Sequence, residues 1–566
     1  MTCEERIYSN DYIDIITEFE PTEDILGQFT DDYCYQPIDQ FGFFSASRED
    51  IPIYNVSTYG YVNVPKVFVP LQNNIEFNTF NLNEAGIIVA QNAPLNLTGR
   101  GVVVGIIDAG IDYTNPVFRN QDGTTRILGL WDQTSREGVP PEGMLYGTEY
   151  KTEQINEALQ SENPYSIVPS RDESGHGTAV ASVICGSRLN EGETFFGAAP
   201  DTQIAVVKLK QAKQYLKEYY LVNDDVECYQ ETDILTALAY LDSFATALSR
   251  PLVICITLGS NLGGHTGDSI LSLYLGLIGE RKSRAIVVAG GNEGLAAHHY
   301  RGELTSSKTR EVIEVNVDEN VNGFMIEFWG DPPALFTMSV RSPLGELSPP
   351  ASLRATQRQT FRFVFRDSVV TFDTLTIEQS TGKLLIELRI TNPPAGVWQI
   401  NVTGLGGSIG GTFNLYLPNS ELLSGKVEFL KPDPLSTLTA PSYVSSAITV
   451  VSYDSITRSV SPESGRGYGL RGEIKPDVAV PGVNVPSIVG IRSGTSFSAA
   501  IAAGGIAQFF QWAVAEKNDI LVDSNDIRSY LIRGAIRDIE LMYPNENWGY
   551  GRYNLIGVFN YLATIE

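Results

Sequence analysis

The chain has 566 residues, too many for one ordinary domain and enough for two to four. Its 43 % hydrophobic and 19 % charged residues are globular values, far from those of a disordered chain. A formal net charge of −27 argues against a nucleic acid or an anionic membrane as partner, and no stretch approaches the apolar length that spans a bilayer.

The N-terminal "MTCEERIYSNDYIDII" lacks the basic start and apolar core of a signal peptide, so the expected site of synthesis is the cytoplasm. Five scattered cysteines (Cys3, Cys34, Cys185, Cys228, Cys255) suggest no disulfide framework and a reducing compartment. They are too far apart for a zinc site, and no metal or other cofactor is expected. Residues 1–72 hold thirteen Asp/Glu against three Lys/Arg. This acidic, aromatic-rich block ends in "YVNVPKVFVPLQ", an alternating run that reads as a strand.

From "RGVVVGIIDAGID" (100–112) the pattern changes to apolar runs followed by Gly-rich turns. Further runs are "TQIAVVKL" (202–209), "PLVICITLG" (251–259) and "RAIVVAGG" (284–291), with a helical pattern over 231–248 between the first and second of these. Strand, helix, strand in this order predicts a parallel sheet with crossover helices. After about residue 300 short alternating runs such as "REVIEVNV", "GFMIEFWG" and "KLLIELRITN" predict an antiparallel sandwich. Near residue 440 the α/β pattern returns, so an all-β block is inserted into an α/β domain.

Four histidines exist, and His176 has the most constrained setting, between glycines in "SGHGTAVAS". An isolated histidine there would cap or line a helix start, but an imidazole at a loop–helix junction also suits proton transfer near neutral pH. Asp108 ends an apolar strand, where ligands of open parallel sheets gather, although an Asp in "DAG" is more often a turn former. Asn292, in "VVAGGNEG", reads either as a turn residue or as an amide donor to an oxyanion. Ser496 opens the small-residue run "SGTSFSAAIAAGG", as an N-cap or as a nucleophile. The order Asp, His, Ser is that of the subtilisin triad.

These motifs, together with "ITLGS" and the closing "YPNENWGYGRYNL", resemble the subtilisin family of serine proteases over roughly 100–300 and 440–566. The resemblance implies a doubly wound parallel α/β sheet with Asp108, His176 and Ser496 as catalytic triad. It implies an oxyanion hole from Asn292 and the Ser496 N–H. Thr257, Leu258 and Gly259 would pair with substrate, and Ala289, Gly290 and Gly291 would wall the primary specificity pocket. Ala500 replaces the family's usual proline in the serine helix. The expected domains are an α+β prodomain (1–72), the first part of the catalytic domain (73–300), an inserted β-sandwich of jelly-roll type (301–435) and the second part of the catalytic domain (436–566). In the family a prodomain templates folding and then blocks the cleft. Here the expected self-cleavage is between Gln72 and Asn73, with the cut prodomain remaining bound.

The unsignalled start, the β insert and "RILGLWDQT" are similar to the Csp germination proteases of clostridial spores. That similarity implies packaging in the spore and, as protein substrate, the zymogen of a cortex-lytic enzyme. Some relatives have lost triad residues, so a catalytically silent binding or germinant-sensing protein is the alternative. A subtilase with another protein substrate is a further one. An α/β-hydrolase is disfavoured because Ser496 sits in "GTS" rather than G-x-S-x-G.

Overall fold

The computed structural model describes residues 1–18, 33–51, 54–71, 81–188, 195–353, 357–405 and 410–564. Its centre is a mixed, mainly parallel sheet. From one edge the order is Ser459–Val460, Ile448–Asp454, Arg284–Ala289, Leu252–Ile256, Val103–Asp108, Gln203–Lys208, Ile127–Asp132 and Thr148–Lys151. The first and last of these strands run antiparallel to their neighbours, and Val478–Pro481 pairs in parallel with Ile448–Asp454.

Each central strand is a nearly unbroken apolar run because helices cover both faces. Side chains alternate between the two cores. Val104 and Ile106 face one core, with the helices His176–Cys185 and Thr495–Phe510. Val103 and Ile107 face the other, with Glu231–Ala247 and Ile270–Gly279. The plainness of the serine helix has a steric cause. A Cβ on Gly504 would collide with Ala198, and one on Gly505 with Tyr553. Continuing to Ala515, this helix is long and apolar enough to cross a bilayer by composition alone, which corrects the expectation that no stretch approaches that length. It is buried in the protein core.

The N-terminal block begins with the helix Cys3–Tyr8, followed by a three-stranded antiparallel sheet ordered Tyr12–Thr17, Phe41–Ser47, Tyr33–Ile38. Cys3 and Cys34 form a disulfide, correcting the expectation of no disulfide framework; a sequence separation of 31 hides the packing of the first helix on the strand Tyr33–Ile38. Ile7, Ile16, Phe41 and Phe43 join the core beneath Glu231–Ala247. Asp14 of the block and Lys213 of the body form a buried ion pair at 2.8 Å. The run "YVNVPKVFVPLQ" is not one strand: Tyr61–Asn63 is a 3-10 turn and only Val67–Pro70 is extended in a sheet. Pro65 divides them, because it holds its own φ and has no N–H to give a ladder.

Strands between His299 and Phe429 build two facing antiparallel sheets. One has six strands and the other four. Phe324, Ile326 and Phe328 point into the space between the sheets. Met325 and Trp329, on the opposite face of the same strand, pack on Ile13, Phe44 and Tyr61 of the N-terminal block and on Tyr215 and Tyr219 of the body. The six-stranded sheet is therefore buried on both sides, and it touches block and body at once.

Candidate active site

Asp108 is fully buried at the carboxyl end of its strand. Its Oδ1 and Oδ2 lie 2.8 and 2.9 Å from His176 Nδ1. Oδ1 also accepts the Ala109 N–H at 2.8 Å, and Oδ2 accepts the Thr257 hydroxyl at 2.7 Å. The carboxylate is thus held from three sides and fixes the imidazole with Nε2 facing away. His176 Nε2 is buried and has no hydrogen-bond partner. Burial opposes a charge on this ring, but the Asp108 carboxylate outweighs it, and the His176 pKa lies above its ordinary 6.5.

The histidine helix can approach because Gly177 has no side chain; a Cβ there would strike the Gly110 carbonyl and lie 3.1 Å from Asp108 Cβ. Asp172 sets the entry to this helix. Its Oδ1 accepts the Gly175 N–H at 2.8 Å, and its Oδ2 accepts the Thr178 N–H at 2.8 Å and the Thr178 hydroxyl at 2.6 Å. Sequence reasoning passed over Asp172, although an Asp shortly before a glycine-bounded helix start is a capping signal.

The serine helix starts at Thr495, preceded by Gly494 at φ 131°, so Ser496 is its second residue rather than its cap. The absence of proline at 500 does not disturb this start. Asn292 Oδ1 accepts the Thr495 N–H at 3.2 Å and its hydroxyl at 3.1 Å. A backbone N–H can only donate, so the amide nitrogen must face the other way. Asn292 Nδ2 is buried without a partner. Together with the Ser496 N–H at a helix N-terminus it offers donors to a developing negative charge. The Ser496 hydroxyl donates to the Thr257 carbonyl at 3.0 Å. The structure therefore joins Asp108 to His176, while the serine hydroxyl bonds to the neighbouring backbone. The His176 ring lies 6.1 Å, between centroids, from Phe497, the residue after Ser496.

Leu258 and Gly259 pair antiparallel with Pro70 and Val69. On its other side the same strand pairs Val67 and Phe68 with Gln230 and Tyr229. The N-terminal block thus lays an extended segment between two rails. The second rail, Tyr229–Gln230, was missed in the sequence because a two-residue strand has no periodicity. Leu71 follows, donating its N–H to the Thr257 carbonyl at 3.2 Å and accepting from the Ser496 N–H at 3.4 Å. Ala289 is buried, Gly290 donates to Val450 at 2.8 Å, and Gly291 (φ 95°) donates to the Thr495 hydroxyl at 3.1 Å. A Cβ on Gly259 or Gly291 would collide with Thr439. Gln72 and Asn73 lie outside the described residues.

The remaining histidines are elsewhere. His298 bonds to Glu293 at 2.6 Å, and His299 to the Leu435 carbonyl at 2.6 Å. His265 stacks on Tyr416, where burial pushes its pKa down to about 3.

The profile of the Subtilase family matches residues 99–326 and 423–551. Among solved structures, the Clostridium perfringens CspB protease is 31 % identical with a TM-score of 0.76, over 86 % of this chain and 99 % of that one. Subtilisin-like protease SBT3.6 of Arabidopsis thaliana is 27 % identical over 215 residues, which are 35 % of this chain. The match spans about a quarter of that relative's length, 26 %.

Proposed function

The chain belongs to the subtilase family of subtilisin-like serine peptidases, and from that premise we propose that it is an endopeptidase that first cleaves its own N-terminal block. The observation that carries this reading is the grip of Asp108 on His176 Nδ1, which leaves Nε2 buried and free to take a proton. In the proposed reaction the Ser496 hydroxyl turns from the Thr257 carbonyl to His176 Nε2 and attacks a peptide carbonyl. His176 accepts the serine proton and Asp108 stabilises the imidazolium that results. The Ser496 N–H and Asn292 Nδ2 receive the oxyanion.

The proposed substrate is the zymogen of a cortex-lytic enzyme, cut during spore germination, with the protease made in the cytoplasm and carried in the spore. The likeness to CspB over nearly all of that protein's length supports this choice. A serine-directed fluorophosphonate should label the wild type and not Ser496→Ala. Equal failure to label in both would favour a silent binding protein, the reading that the Ser496–Thr257 hydrogen bond favours. Incubation with a purified cortex-lytic zymogen, followed by sequencing of the products, tests the substrate.

A further inference from the structure

The peptide that reaches Ser496 belongs to the chain itself, and its register is fixed. Val69 lies opposite Gly259 and Pro70 opposite Leu258. Leu71 then bonds to Thr257 through its N–H and to the Ser496 N–H through its carbonyl. Its side chain is only 1 % exposed. Leu71 Cδ1 would lie 2.9 Å from a Cβ on Gly259, so any side chain at 259 would intrude on it. Thr439, from the segment after the β insert, stands against both Gly259 and Gly291 and closes the space between them.

From these contacts we infer that the site selects leucine on the acyl side of the bond, preceded by Val-Pro, and that the bond it cuts in its own chain is Leu71–Gln72. This is one residue earlier than the bond expected from the sequence, and it rests on the endopeptidase reading above. The physical reason is register. A slip of one residue along an antiparallel pair sends every side chain to the opposite face. Cleavage after Gln72 would take Leu71 out of its apolar pocket and put a carboxamide there, which is costly without partners.

The step balances within the chain and one water molecule. Ser496 Oγ bonds to the Leu71 carbonyl carbon as His176 Nε2 takes its proton. The C–N bond to Gln72 breaks and the proton passes to the departing amine. Water then hydrolyses the ester, leaving a Leu71 carboxylate and the free serine.

Intact-mass spectrometry of purified wild-type protein tests this without any variant. The expected fragments are 1–71 and a large one beginning at Gln72. Fragments 1–72 and 73–566 would overturn the proposed bond and leave the endopeptidase reading standing. An uncut chain that still labels with fluorophosphonate overturns the bond as well, and an uncut, unlabelled chain overturns both. Gln72→Ala should be cut at the same bond within about twofold, because in the proposed register the selected side chain is that of Leu71. Leu71→Asp should slow the cut by about 10²-fold or more, since a buried carboxylate has no partner there. Equal processing of Leu71→Asp and wild type would exclude leucine selection.

Discussion

Glu327 and Glu387 face each other directly on neighbouring antiparallel strands of the inserted six-stranded sheet, and both are fully buried. Tyr61 of the N-terminal block donates to Glu327 at 2.8 Å, with Trp329 Nε1 at 3.1 Å and the Gly263 N–H at 2.9 Å on its second oxygen. Tyr219 donates to Glu387 at 2.5 Å, and the Arg389–Asp373 pair lies alongside. Burial and then the Glu327 charge push Glu387 up to about 8. Burial also raises Glu327, with Lys66 acting in the opposite direction.

A carboxyl group with a raised pKa in the folded state holds its proton more tightly than the unfolded chain does. The folded protein should therefore lose stability as pH rises from about 4.5 to about 8, and no further from this group above that. Glu387→Gln should flatten this part of the profile. Thermal melts of both proteins across that range check the sign; a Tm with the same pH slope in both would exclude the pair as its source.

In the proposed reaction His176 must be neutral to accept the serine proton. Its raised pKa places the acid limb of kcat/KM above pH 6.5, with activity rising as pH increases through it. Asp108→Asn should lower turnover by about 10⁴, because the amide favours the wrong tautomer. A pH–rate profile with its acid limb at or below 6.5 would contradict the raised value.

Asn292 Nδ2 is held in place by Thr495 yet bonds to nothing in the resting site. Asn292→Ala should lower kcat by about 10²–10³ with little effect on KM, because the proposed oxyanion donor would act mainly in the transition state. A change confined to KM would assign the residue to substrate binding instead.

Asp14 and Lys213 are both buried where the N-terminal block meets the body. Asp14 also accepts from Gln230 at 2.8 Å, next to the rail that holds the cleft segment. Asp14→Ala leaves Lys213 buried and unpaired, at a cost of about 3–5 kcal/mol. Thermal unfolding and co-elution of the block with the body measure it; unchanged values for both would show that the pair contributes nothing to docking.

The sequence by itself determined the central parallel strands and the chemical groups. Unbroken apolar runs between Gly-rich turns mark strands covered on both faces, so Asp108 and Asn292 could be placed at strand ends. Glycines flanking His176 and Ser496 marked helix starts that pack closely. These signals are local, because burial periodicity and backbone freedom are properties of a few consecutive residues. Tertiary structure alone decided the Cys3–Cys34 bond, the Tyr229–Gln230 rail, the meeting of Thr439 with Gly259, and the seat of Leu71 beside Ser496. Each of these joins residues separated by long stretches of chain. Their meeting depends on how whole sheets and helices pack, and for Leu71 on a strand register that only its two partner strands could fix.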